Sequence, residues 1–525
     1  MTGIGRPLGR RDLLAGIGAA AAASLGGCSA LAKTPPGPRL RLATLYPPVT
    51  LDPIEAKYVG SKQVINRVFD GLYAYGEGGD VVPRIASGQP TVSADGLEVE
   101  VAIDERARFQ NDSPITPEDV AYSFEAPVEE DAATEWTVDM IESVETVDDR
   151  TVRFRLGDPY PAFSHALTRP IVPKEDREAD PERFATAPVG SGPFEVRKFT
   201  EERKAQLARW DDYWGESPPA IAQLTVVYVE SPLTQMMGLR TGRSDAIEPI
   251  GPQVANDIRD VTNATVARRD GYRSLYLGVN LNTGPTTKPE VREAIDYCLD
   301  VDEAVREFVE PMGERVYSPL PRRVAEEWDL PVERWAEIPN PKNVERARDL
   351  FRQADETTGQ LKILTSKDPI HKEFGEALAG GLRNAGHGAL VASKPWKSYL
   401  ETYVTGSKRD YSVFVGEITG TSDPDSFLYP TFHENMAGTT NGVFERDDEV
   451  MEPLSEARAT TDRDRRRDLY ETAITRLLSD RAVVPLCSLD NSFATTDRVR
   501  NFRVHPIPEV NPRLAGTDPV VEVRS

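Results

Sequence analysis

From Arg39 onward, apolar residues recur with two different periods, and the alternation of these periods restricts the fold more than any other feature. Arg39–Thr44 alternates apolar and polar positions. Leu97, Val99, Val101 and Ile103 alternate with Glu98, Glu100 and Ala102, and Val152, Phe154 and Leu156 with Arg153 and Arg155. A period of two marks strands with one wet face. Further strands read at 224–229, 274–281, 361–366, 411–416 and 483–487. Between them the period changes. Val291, Ala294, Ile295, Cys298 and Leu299 fall at i, i+3, i+4, i+7 and i+8, one apolar stripe on a helix. Val344, Ala347, Leu350, Phe351 and Ala354 repeat it, as do Phe374, Ala377, Leu378, Leu382 and Ala385, where Gly386 supplies a stop. Strands alternating with helices predict an α/β architecture. The meander-like N-terminal third predicts an added antiparallel part.

The residues before Arg39 have another character. Arg10-Arg11 precede the weakly apolar run 13–25, and Leu25-Gly26-Gly27-Cys28 follows. A basic pair, an apolar stretch too short to span a bilayer and a small-residue cleavage point form an export signal. The twin arginines and Gly/Ala-rich core are similar to a Tat signal. Cys28 stands where a lipoprotein signal places its lipid-bearing cysteine. Residues 1–27 are therefore excluded from the fold, and 28–38 read as a flexible tether rich in proline and small residues. The expected location is the outer face of the cytoplasmic membrane, held by lipid at Cys28.

The net charge is −23. Such a surface disfavours nucleic acid and anionic lipid. High salt would screen its self-repulsion, the Debye length falling to ~3 Å at 1 M. Acidic chains with far more Arg than Lys resemble proteins of salt-loving archaea. Of the three cysteines, Cys298 and Cys487 remain after Cys28, and both fall on apolar segments that predict separate buried thiols. The five histidines include no pair at i+4 and no H-E-x-x-H. There is no G-x-S-x-G, S-x-x-K or G-x-x-x-x-G-K-[ST], so no residue receives a catalytic role. Thr421-Ser422-Asp423-Pro424-Asp425 lacks the acidic ladder of a calcium loop. Neither a metal nor a cofactor is implied.

One series of landmarks runs nearly the whole length. Leu51-Asp52-Pro53 is followed by Val68-Phe69-Asp70-Gly71-Leu72, Val82-Pro83-Arg84-Ile85-Ala86 and Ser93-Ala94-Asp95-Gly96-Leu97. Phe109-Gln110-Asn111-Asp112-Ser113-Pro114-Ile115-Thr116-Pro117-Glu118-Asp119-Val120 comes next, then Pro188-Val189-Gly190-Ser191-Gly192-Pro193-Phe194 and Asp212-Tyr213-Trp214. Tyr276-Leu277-Gly278-Val279-Asn280, Val291-Arg292-Glu293-Ala294-Ile295, Asp423-Pro424-Asp425 and Asn441-Gly442 complete the order. This order resembles the family 5 extracellular solute-binding proteins, the peptide-, dipeptide- and nickel-binding receptors of ABC importers.

The resemblance implies a two-lobe, periplasmic-binding-protein-like fold of type II, with an extra antiparallel subdomain in the first lobe. Lobe one would comprise 40–275 and 489–525 with 76–187 inserted, and lobe two 276–488. The chain would cross twice at a hinge near 272–280 and 486–494. A monomer would capture an oligopeptide, dipeptide or related polar solute in the cleft and deliver it to a permease and its ATPase. The alternatives are a secreted lipoprotein hydrolase and a non-transport sensor of the same fold. By family position, the ligand-binding residues would be Tyr272, Tyr276, Asn280, Trp396, Glu417, Thr421 and Asp423. Peptide receptors of the family commonly carry a tryptophan and then an aspartate upstream of an Asp-Pro pair, and that aspartate binds the peptide's α-ammonium. Here Glu417 takes the tryptophan position and Gly420 the aspartate position. Either Glu417 supplies the negative charge, or the solute is not a peptide.

Overall fold

The computed structural model describes residues 37–132, 134–258 and 264–524. The signal, Cys28 and most of the tether lie outside them. The period-two segments assemble mainly into one mixed sheet of 11 strands. From edge to edge it runs Gly388–Lys394, Gln360–Ser366, Val413–Thr419, Ala264–Val279, Val483–Thr496, Ala246–Glu248, Arg39–Thr44, Gln223–Tyr228, Lys204–Arg209 and Phe194–Thr200. Gly313–Arg315 pairs with Val483–Thr496 off this path. Parallel pairs on both sides of the centre keep the α/β character expected from the alternation of periods.

The two central strands differ from the sequence reading. They run 16 and 14 residues, through 264–273 and 488–496 as well as the apolar stretches. Arg268, Arg269 and Asp270 hid the first extension, because a strand of such polar residues carries no apolar alternation. Backbone pairing from Ala264↔Thr496 to Asp270↔Asp490 holds it instead. The register then slips between Asp270 and Ser274. Such irregularities bend and twist a strand pair.

Each half of the sheet has its own core. Leu275, Ile295, Phe351, Phe374, Val415 and Leu486 pack on one half. Leu42, Val64, Val68, Phe194, Leu224 and Phe493 pack on the other. A separate core around Val99, Phe124, Val152 and Phe154 lies on a four-stranded antiparallel sheet, Thr91–Val92, Glu98–Ala102, Thr151–Leu156 and Ile141–Asp148. Cys298 and Cys487 are free, buried thiols. Among the described residues no helix is long and apolar enough to cross a membrane.

Two of the landmarks meet in space. A Cβ on Gly190 would lie 1.9 Å from the Val68 carbonyl oxygen, so only glycine fits there. The Gly192 N–H donates to that same carbonyl at 2.8 Å, at the end of helix Val59–Val68. Ser191 Oγ accepts from the Asp70 N–H at 2.9 Å. Gln110 Nε2 donates to the Gly192 and Phe194 carbonyls, and its Oε1 accepts from the Gly190 N–H. The 188–194 turn and Gln110 thus clamp the segment Phe69-Asp70-Gly71.

Candidate functional site

That clamped segment forms part of the wall of a cavity of about 360 Å3. Helix Val59–Val68 presents Lys62, Ile65, Asn66 and Arg67 to it. Val64, Ile65 and Val68 bury the same helix in its core, which fixes its rotation. Other walls come from Thr134–Met140 and Tyr160–Pro170 beside the antiparallel sheet, from Thr419–Ser426, and from Ile507–Ala515 near the C-terminus. Asp70 accepts from Tyr213 Oη at 2.8 Å and lies 3.7 Å from Arg84 Nε. Burial raises its carboxyl pKa, against the pull of Arg84.

The arginines of the lining are held mostly by neutral groups. Arg67 is buried, and its Nη atoms donate to the carbonyls of Glu509, Val510 and Pro512. Burial lowers its pKa to about 10. Arg169 donates through Nη2 to Thr134 and to Thr137 Oγ1. Burial likewise lowers it to about 10.

Across the cavity, Asp425 Oδ2 accepts from Tyr160 Oη at 2.8 Å and from Arg458 Nη1 at 3.2 Å. Arg458 Nη2 donates to Asp139 Oδ1 at 2.9 Å, and its guanidinium lies 4.1 Å from the Tyr429 ring centre. These contacts tie the antiparallel subdomain to helices Asp425–Phe432 and Asp448–Ala459. Asp139 is 39% exposed, so Asp139→Asn is expected to cost only about 1 kcal/mol. Urea unfolding checks this, and small-angle scattering should show a larger mean radius as the tie loosens.

Of the seven residues expected from family position, Thr421 lines this cavity. Tyr272 is buried beneath Arg323, whose guanidinium lies 5.2 Å from its ring centre. Tyr276 packs between Phe414 and Phe432 in an apolar core. Asn280 is fully buried, its Nδ2 donating to the Gly406 and Tyr411 carbonyls. Trp396 is 38% exposed and stacks on Tyr399. Asp423 forms a two-pronged ion pair with buried Arg466, at 2.9 and 2.8 Å. Glu417 Oε1 accepts from Arg273 Nε and Nη2 at 3.0 and 2.8 Å, and Oε2 lies 3.3 Å from His371 Nε2. None of these six belongs to the lining. Gly420 does, and a Cβ there would lie 2.5 Å from Ser426 Oγ and 2.6 Å from the Phe427 ring.

Sequence reasoning missed Arg67, Arg169 and Arg513. Arg67 left one signal, a charge set among Val64, Ile65 and Val68. Arg513 left none, since only the folding back of 507–515 brings it to the cavity. Among the described residues no group of three His, Cys, Asp or Glu could hold a metal ion.

The model of the "Bacterial extracellular solute-binding proteins, family 5 Middle" matches residues 80–439. The chain belongs to this family. This solute-binding protein is 25% identical to Protein XP55 of Streptomyces lividans over 461 residues, 82% of this chain and 81% of the relative. It is 23% identical to the probable D,D-dipeptide-binding periplasmic protein DdpA of Escherichia coli over 480 residues, 89% and 90% of the two chains. The periplasmic binding protein DppA of Helicobacter pylori, solved with the peptide STSA, matches with a TM-score of 0.83 at 20% identity, covering 93% of this chain and 98% of that one. That likeness establishes the fold as the two-lobe type expected, with mixed α/β sheet.

Proposed function

We propose that this chain is the lipid-anchored receptor of an ABC importer, which captures a peptide or related polar solute in the 360 Å3 cavity and presents it to the permease. The observation that carries the reading is the composition of that cavity. Its walls come from Pro53–Tyr75, the antiparallel subdomain, Thr419–Ser426 and the C-terminal stretch, so a solute inside would contact all four at once. In this reading lobe one takes 40–275 and 489–525, with 76–187 inserted, and lobe two takes 276–488. The register slip between Asp270 and Ser274 supports a hinge near 272–280 and 486–494. Binding that touches both lobes favours the closed state, and that population shift is what a permease reads. The protein acts as a monomer, held outside the cytoplasmic membrane through Cys28, and uses no covalent step.

Purification of the mature protein in high salt, followed by mass spectrometry of co-purified small molecules, tests the reading. A stoichiometric peptide or polar metabolite is expected. Turnover of labelled peptides by the protein alone would overturn it in favour of a hydrolase.

A further inference from the structure

The cavity is lined by more cations than anions, in a chain whose net charge is −23. Five basic residues line it against three acidic ones. Two of the acids are already engaged, Asp70 by Tyr213 and Arg84, and Asp425 by Tyr160 and Arg458. The third, Glu509, carries no ion pair among the described residues. Four of the five cations, Lys62, Arg67, Arg169 and Arg513, have no such partner among the described residues either. No carboxylate oxygen of the described residues lies within 4.0 Å of Arg67, Arg169 or Arg513. Arg67 Nε and Arg513 Nη1 are buried without any hydrogen-bond partner. A buried charge is costly unless it is paired, and a guanidinium pairs best with a planar carboxylate or with a phosphate. At Gly420 in the lining, Ser426 and Phe427 occupy the space that any side chain would need.

We infer that the solute carries an anionic group, a carboxylate or a phosphate, which occupies the space between Arg67, Arg169 and Arg513. This rests on the receptor reading above. The anion supplies the charge that the protein itself withholds from these three arginines. A solute whose only charge is positive meets an excess of like charge in the same cavity.

Calorimetry at constant high salt tests the inference with five probes: Ala-Asp and succinate, glycerol 3-phosphate, and the C-terminal amides of Ala-Ala and Ala-Lys, which carry no carboxylate. An acidic probe is expected to bind at least ~10-fold more tightly than the Ala-Lys amide, the scale of one charge-assisted contact. The carboxylate and phosphate probes separate the two sources of negative charge. Arg169→Gln and Arg513→Gln should each weaken the acidic probe by ~10-fold or more, and by more than they weaken the Ala-Lys amide. Neither residue forms an ion pair, so both variants should fold; a cooperative melt near that of the wild type confirms it. Equal or tighter binding of the Ala-Lys amide overturns the inference, as does unchanged affinity in both variants. Binding of no probe at all overturns it too. The receptor reading is judged separately, by whether any small molecule co-purifies, and survives if that molecule is neutral or cationic.

Discussion

Glu417→Gln should lower the unfolding free energy by about 3–5 kcal/mol, the cost of removing one partner from a buried ion pair. Arg273 is 7% exposed, and Glu417 is the acid that neutralises it. Glutamine keeps the shape and one acceptor, but leaves the guanidinium charge buried without a counter-charge. The carboxylate of Glu417 shows how strong the local field is. Burial alone would push its pKa up, yet Arg273 and His371 outweigh burial and bring it to about 2. A carboxyl whose folded pKa is depressed contributes stability that is present above its ordinary value near 4.5, and lost as pH falls towards 2. The variant should therefore lose most at neutral pH, and its deficit should shrink in acid. Replacing both residues, as Glu417→Gln with Arg273→Met, should recover much of the loss, which a double-mutant cycle in urea would measure. Unchanged stability with lost solute binding would return Glu417 to the role of ligand anchor.

Glu248 should give the protein a stability that declines between pH 6.5 and 8. Its side chain is buried, Oε2 accepts from Gln63 at 3.2 Å, and Oε1 has no partner. Burial raises its pKa to about 8, against weaker opposing pulls from Gln63 and Arg67. The folded protein thus holds a proton that the unfolded chain releases near 4.5. The sign follows: stability falls as pH rises from the unfolded pKa through 8. Other groups share the lower part of that range, among them His165 and His433, which burial lowers from 6.5. Burial raises Asp490 to about 6, with the same sign, and lowers His505 to about 4, with the opposite sign. The unfolded imidazoles still titrate around 6.5, so the part that belongs to Glu248 is the difference in slope between the wild type and Glu248→Gln. Each pH unit there costs up to ~1.4 kcal/mol and about half of that at pH 8, so the loss from pH 6.5 to 8 is about 1.6 kcal/mol. Glu248→Gln should remove it. Urea unfolding at fixed salt across this range checks the prediction, and an equal slope in both proteins refutes it.

The two predictions concern residues that differ in how much their sequence context disclosed. Glu417 stands out in the sequence only through the family resemblance, which implies a tryptophan at its position. That position was read as a place for a ligand, and the structure fills it with an internal ion pair. Arg273 lies on the neighbouring strand, opposite in register to Thr419, and nothing local pairs residues 144 apart in sequence. Asp423 behaves in the same way, since its partner Arg466 sits on helix Arg463–Ser479. Glu248 follows two apolar residues in a three-residue strand and reads as an ordinary surface acid. Tyr276 was legible as a landmark but not as core, because a strand in the middle of a sheet buries both of its faces.

Local patterns were enough for what depends on near neighbours. The period of two or 3.6 separated strands from helices, and the Thr116-Pro117-Glu118-Asp119 start caps its helix locally, with Thr116 Oγ1 accepting from the Asp119 N–H. The order of landmarks was enough for the family. The contents of the cavity were decided only by tertiary structure. Which charges are free there depends on which are already paired, and each pair is made across a fold that brings together residues far apart in the chain. Arg67, Arg169 and Arg513 look no different in sequence from the many arginines that find a carboxylate. They are set apart by closure of the sheet and the return of 507–515 onto helix Val59–Val68, which leave them lining a cavity without a carboxylate in ion-pair distance.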